Sequence, residues 1–147
     1  MIVPADALIK LQNSIGDYDA ISGLYVTKGD QHFPIMLGHP DDKKDFTPQI
    51  GRSKTGNIEE CNGLGLGFTL FKTDLFKKMP KPHFRTIDRV GEDKRFERMQ
   101  LDCYFFYNAR QAGYRFAVDT SLLLGHYDTE QGKIFYAKRE NKNNGTA

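Results

Sequence analysis

The sequence predicts an α/β fold in which a mixed sheet is flanked by helices. Three observations predict it. Ala7, Leu8, Leu11 and Ile15 recur at helical spacing, and the stretch from Ala20 to Val26 is short, apolar and rich in β-formers. A second helix-spaced run lies far downstream, before further extended segments, so helical and extended periods mix as they do in such folds. At 147 residues the chain is about one domain long, with 39% hydrophobic and 27% charged residues. That composition supports a buried core and is too apolar for a disordered chain.

The first helix is expected over residues 4 to 15, with Pro4 in its first turn and Gly16 as its stop. Ala20 to Val26 reads as a buried strand, and Phe33 to Leu37 as a second one after a turn at Lys28-Gly29-Asp30. Residues 38 to 57 collect prolines, glycines and the Asp41-to-Asp45 charge run with little periodicity, which predicts an irregular loop suited to a mobile flap. Phe68 to Phe71 reads as a strand, and Thr73-Asp74 as the cap of a short helix that runs to Lys78 and ends at Pro80 and Pro82. Phe96, Met99, Cys103, Phe106, Ala109 and Arg110 predict a long helix over 96 to 112, closed by Gly113. Tyr114 to Asp119 and Leu122 to Leu124 read as extended core. Residues 140–147 carry no apolar anchor before the last residue and are expected to be a disordered tail, leaving 1–139 as the folded unit.

Charge and cysteine usage narrow the function classes. A net charge of +2 does not describe a nucleic-acid surface. Cys61 and Cys103 match no zinc spacing and read as reduced core thiols. No apolar run approaches the roughly 20 residues that span a bilayer, and Met1-Ile2-Val3-Pro4 lacks the regions of a signal peptide, so a cytoplasmic protein with no transmembrane segment is expected. His32, His39 and His83 stand in polar or proline-flanked contexts and are expected to be solvated.

Three constellations bear on chemistry. Gly63, Gly65 and Gly67 precede a strand, not a helix, which excludes a dinucleotide fingerprint; they fit either close approach of a ligand to backbone or a tight turn with no ligand. Asp102 stands at the start of the long helix, where the helix dipole favours a carboxylate in any case and where a fixed carboxylate can also serve as general base. His126 follows Gly125 at the end of an apolar strand, a position that suits a metal ligand, a phosphate contact or a hydrogen bond at the sheet edge. A metal hydrolase built on Asp102, Asp119, His126 and Asp128 is a rival without a motif's spacing.

Taken in order, these segments resemble the later part of GT-A-type glycosyltransferases of the family-two kind, nearly end to end. Pro4 to Leu8 is similar to the helix after the family's metal-binding Asp-x-Asp, and Asp19 to Tyr25 to the next strand. Gly63 to Leu70 resembles the glycine-rich segment beneath the acceptor site, and Lys81-Pro82-His83-Phe84-Arg85 the Pro-aromatic element. Leu101-Asp102 with Ala109 to Tyr114 resembles the acidic pair, its helix and its exit, although position 101 is Leu where the family usually carries an acidic or polar residue. Gly125-His126 is similar to the closing strand.

The resemblance implies a partial GT-A fold whose nucleotide-binding strands precede Met1 and are missing, Asp102 as base, and His126 as ligand of a divalent ion, manganese or magnesium. It further implies acceptor or donor contacts at Gly63, Gly65, Gly67, Phe84 and Arg85, a nucleotide-sugar donor, and a glycan or other hydroxyl acceptor, with inversion at the transferred carbon. On that expectation the chain alone is weakly active or inactive. The alternative expectation is a non-catalytic module derived from a glycosyltransferase, which binds an acceptor or partner and self-associates through an exposed sheet edge.

Overall fold

The computed structural model describes residues 1–28, 31–90 and 96–138. Gly29 and Asp30 of the expected turn, and the expected tail at 140–147, lie outside the described residues.

Helix α1 (Ala7–Ser14) is shorter than the expected 4 to 15: Pro4 contributes a turn, its carbonyl accepting the Ala7 N–H at 3.1 Å, before regular helix begins. Gly16, at φ +44, ends it as expected. Strand β1 (Ala20–Leu24) is buried along its whole length. It lies between β8 (Phe116–Leu123), which it pairs in parallel from Ala20↔Phe116 to Gly23↔Asp119, and β5 (Thr69–Phe71), which it pairs antiparallel at Ile21↔Leu70. With β3 (Ile58–Cys61) antiparallel on the far side of β8, the main sheet has the order β3-β8-β1-β5.

Both faces of that sheet are covered, which is why β1 reads as continuously apolar instead of alternating. Ala20 and Leu24 of β1 and Phe116 and Val118 of β8 point to one face, where they meet Phe105, Phe106 and Ala109 of helix α3 (Leu101–Gln111). Ile21 and Tyr25, with Ala117, point to the other and meet Ala7 and Leu11 of α1. The result is a mixed sheet flanked by helices. No helix among the described residues is long and apolar enough to cross a membrane.

Smaller elements complete the chain. Of the expected strand at 33–37 only Met36–Leu37 (β2) is regular; it pairs with Gly63–Leu64 (β4), so the glycine segment begins as a strand. Helix α2 (Asp74–Lys78) follows β5, but the Thr73 side chain makes no capping bond. Ile87–Val90 (β6) and Phe96–Met99 (β7) form an antiparallel hairpin, and His126–Asp128 (β9) pairs with Lys133–Phe135 (β10).

The expected helix over 96 to 112 is therefore corrected at its start. Residues 96–99 are extended because they pair with β6, and Gln100, at ψ 160, breaks the chain direction before the helix begins at Leu101. Its end is as expected. Gly113 has φ +95, its N–H donates to the Arg110 carbonyl, and the Tyr114 N–H donates to that of Ala109, the two bonds of a Schellman ending.

The loop at 38–57 is irregular but firmly bonded. The buried Asn62 amide donates to the carbonyls of His39, Asp42 and Asp45 at 2.7–2.9 Å, and the Asp45 carboxylate accepts the backbone N–H groups of His39 and Thr47. Arg110, 6% exposed, closes the knot: Nε donates to Asn62 Oδ1 at 2.8 Å, Nη2 to the Pro40 carbonyl at 3.0 Å, and Nη1 to that of Tyr114 at 3.2 Å. Glu60 stands 3.2 Å from Arg110 and 2.7 Å from Arg115. Partial burial works against its ionisation, yet those two guanidinium groups hold its carboxyl below the usual glutamate range.

Truncating Arg110 removes at once the donor to Asn62 Oδ1, the donor to the Pro40 carbonyl and one of the two guanidinium groups beside Glu60. Arg110→Ala is expected to cost about 3–5 kcal/mol, read as a lowered urea midpoint. Phe106→Ala, which opens a cavity between α3 and the sheet, is expected to cost a similar 3–5 kcal/mol or so, whereas the exposed Leu8→Ala on α1 is expected to leave the midpoint almost unmoved.

Candidate functional site

Tyr25, one residue beyond β1, organises the expected site. A phenol at the end of a buried strand must find a polar partner for its hydroxyl. The side chain is 6% exposed, and Oη accepts the Gly67 N–H at 3.1 Å. Gly65 is required where it stands, because a Cβ there would fall on Tyr25 Oη. At Gly67 a Cβ would crowd the same phenol and the Met1 sulfur, at 3.1–3.2 Å. The glycine turn is thus moulded around a tyrosine.

Asp102, in the first turn of α3, lies close enough for its negative charge to act on that phenol. Burial first, then Asp102, pushes the Tyr25 hydroxyl above its ordinary range against the opposing pull of the Gly67 N–H. The Asp102 carboxylate is itself fixed: Oδ1 accepts the Cys103 N–H at 2.8 Å, one of the donors that a helix start leaves unpaired. Burial first, then the Asp102 charge, pushes the Cys103 thiol up to about 11.

On the other side of Tyr25 its ring meets the His126 ring edge-on at 5.8 Å. His126 opens β9, and Nδ1 donates to the Val26 carbonyl at 2.8 Å. In the neutral ring this fixes the tautomer and leaves the Nε2 lone pair to face a ligand. Gly125, just before it, pairs with Ile2 through bonds of 2.7 and 2.9 Å, and a Cβ there would collide with Ile134, Tyr136 and Ile2. The amino-terminal residues thereby run past the histidine.

Gly65, Gly67 and His126 meet at Tyr25, on whose phenol the Asp102 charge also acts, and the sequence placed that tyrosine in a strand with no role. Its signal was an aromatic with a hydroxyl at the end of an otherwise apolar segment. The remaining expected residues stand apart from it. At Gly63 a Cβ would meet the Phe46 ring at 2.7 Å, so packing alone requires a glycine there. Phe84 stacks on Phe105 at 4.7 Å, and Arg85 is exposed and joins none of these hydrogen bonds. His83, expected to be solvated, is half-buried, with Nε2 donating to the Met79 carbonyl at 3.2 Å.

The hydrolase rival loses its geometry. Asp119 accepts the Ser121 hydroxyl at 2.6 Å, and Asp128 caps its own turn by accepting the Glu130 and Gln131 N–H groups. Among the described residues no three histidine, cysteine or acidic side chains gather where they could hold a metal ion. His126 is one prospective ligand, and hard divalent ions take several oxygens. The described residues alone do not make up such a site.

No family model and no curated protein matches the sequence. Among solved structures, the crystal structure of A197 from STIV superposes with a TM-score of 0.51 at 22% identity, over 97% of this chain and 63% of that one. The present chain thus spans less than two thirds of A197, and at that identity the likeness concerns the fold alone.

The thiols give a direct check on this packing. Burial above all pushes fully buried Cys61 up to about 12, and Cys103 stands at about 11. At pH 8 roughly one Cys103 in a thousand would be thiolate, so both are expected to resist a thiol-modifying disulfide reagent until urea unfolds the chain. Because folding raises these pKa values, their contribution to stability is complete below the unfolded thiol range and is lost as the pH climbs towards 11 and 12. The urea midpoint should fall over that interval, and less so in Cys103→Ala.

Proposed function

We propose that the chain is part of a GT-A-type glycosyltransferase of the family-two kind, moving a sugar from a nucleotide-sugar donor to an acceptor hydroxyl. The observation that carries this reading is the meeting of the glycine turn and His126 at Tyr25, two segments distant in sequence that the resemblance assigns to one active site, with the Asp102 charge acting on the same phenol. The mixed sheet with helices on both faces is compatible with it.

In this reading Asp102 takes the proton of the acceptor hydroxyl while that oxygen forms its bond to the anomeric carbon; the bond from that carbon to the diphosphate oxygen breaks, and the electron pair leaves with the diphosphate. The α3 start holds the carboxylate in place for this through the Cys103 N–H. His126 is held by the Val26 carbonyl through Nδ1, which leaves Nε2 as the ring nitrogen available to a metal or phosphate. A divalent ion would neutralise charge on the leaving diphosphate, with His126 as this chain's one ligand to it.

A second reading, a non-catalytic binding module, has its own support. Met1, Ile2 and Val3 are 37–43% exposed, and with Ile134 and Tyr136 they make an apolar surface around Gly125, beside His126. Such a surface suits association.

Calorimetric titration with UDP and GDP, with and without manganese, separates the two. The transferase reading expects weak binding that needs manganese, disappears in His126→Ala and persists in Asp102→Asn. Any sugar transfer should fall roughly 100- to 10,000-fold in Asp102→Asn. Binding in none of these conditions, with dimers seen by light scattering, would leave the module reading.

A further inference from the structure

A cleft of about 400 Å³ opens between α3 and the Met79–His83 loop. Its helix wall is Tyr104, Asn108 and Gln111, which at 3.6 residues per turn face roughly 180–240° away from Asp102. The cleft therefore lies behind the helix that carries the proposed base, and is separate from the Tyr25 cluster.

We propose that this cleft is a carbohydrate-binding site that takes a neutral hexose ring or a short oligosaccharide. The argument is an inventory of what its side chains have left to offer. Asn108 spends an amide N–H on the Tyr104 carbonyl at 2.8 Å, Gln111 spends one on the Lys43 carbonyl at 3.0 Å, and His83 spends its Nε2–H on the Met79 carbonyl at 3.2 Å. Each is thereby oriented with an acceptor to give: Oδ1, Oε1 and, in the neutral ring, Nδ1.

Each amide also keeps its second N–H, so these three acceptors stand beside four donor groups, the two N–H groups, the Lys81 ammonium and the Tyr104 hydroxyl, and the mixture calls for a ligand whose hydroxyls both donate and accept. An anion, which only accepts, would leave those acceptors unpaired, and among the described residues no carboxylate lines the cleft to draw a cation. A purely apolar ligand would bury the acceptors unpaired. The rest of the wall, Met79, Pro80, Pro82 and the Tyr104 ring, is apolar and suits the C–H face of a sugar. This site does not depend on the transferase reading, because it shares no residue with the Tyr25 cluster.

Saturation-transfer NMR on the full chain tests it, with the methyl glycosides of glucose, galactose and mannose and with maltose, cellobiose and lactose as probes. At least one probe is expected to receive saturation on its ring protons, with the weak affinity usual for a small polar ligand. Gln111→Leu and Tyr104→Ala should each weaken it about tenfold or more, the equivalent of at least one lost hydrogen bond or ring contact, and Tyr104→Phe, which keeps the ring, should weaken it less than Tyr104→Ala. Gln111 is exposed, so its variant decides the matter even if Tyr104→Ala fails to fold. Asp102→Asn and His126→Ala should leave this binding unchanged. Transfer to none of the probes, binding indifferent to the Gln111 variant, or binding lost in His126→Ala would each overturn the proposal.

Discussion

A guanidinium in a protein interior is tolerable only when its N–H groups meet oxygens, and Arg110 meets that condition by drawing three parts of the chain onto itself. Asn62 comes from the β3–β4 junction, the Pro40 carbonyl from the irregular loop, and the Tyr114 carbonyl from the exit of its own helix. Asn62 then spends its amide on three carbonyls of that loop. A segment with little regular structure is in this way fixed to the back of α3. The position of α3 against the sheet, and with it the position of Asp102 at the far end of the same helix, rests on a charge that cannot be left unpaired.

The sheet then divides the labour between its two faces. The face under α3 is filled by phenylalanines, Phe71, Phe105, Phe106 and Phe116, in edge and stacked contacts of 4.9–6.1 Å. The buried side chains of the face under α1 are aliphatic except for Tyr25, which ends the row with a hydroxyl. Polar chemistry begins where β1 ends. That is a general property of parallel strands: their interiors are sealed by the crossovers, and only their carboxyl ends are open to a ligand.

Much of the fold could be read from the sequence where one segment decides its own structure. The apolar spacing of α1, the unbroken burial of β1, and Gly16 and Gly113 as stops are local signals, and they hold. What could not be read depends on distant partners. Phe96 and Met99 continue the helical spacing of Cys103 and Phe106, yet they are extended because β6 offers a pairing edge, which no local pattern announces. The glycines at 63, 65 and 67 advertise small size but not its cause, and the cause is an aromatic ring brought close by tertiary structure: Phe46 for one and Tyr25 for the others. The β9–β10 hairpin escaped because its turn is stabilised by the Asp128 carboxylate and by Gly132 at φ +63, a signal spread over five residues. Of the candidate site, Asp102 and His126 were legible by type and position, whereas Tyr25, on which both bear, was visible only as a strand residue.

The parallel pairing of β1 with β8 has a consequence for how the protein comes into being. Ala20 meets Phe116, so the first strand of the sheet has no neighbour on that side until most of the chain has been made. While synthesis proceeds, β1 and the apolar stripe of α1 wait beside β5 at best, a partnership of three residues. Closing so long a loop is slow and leaves apolar surface uncovered in the interval. The nascent chain is thus most in need of protection between the emergence of residue 24 and that of residue 123, a vulnerability belonging to its birth and absent from the finished molecule.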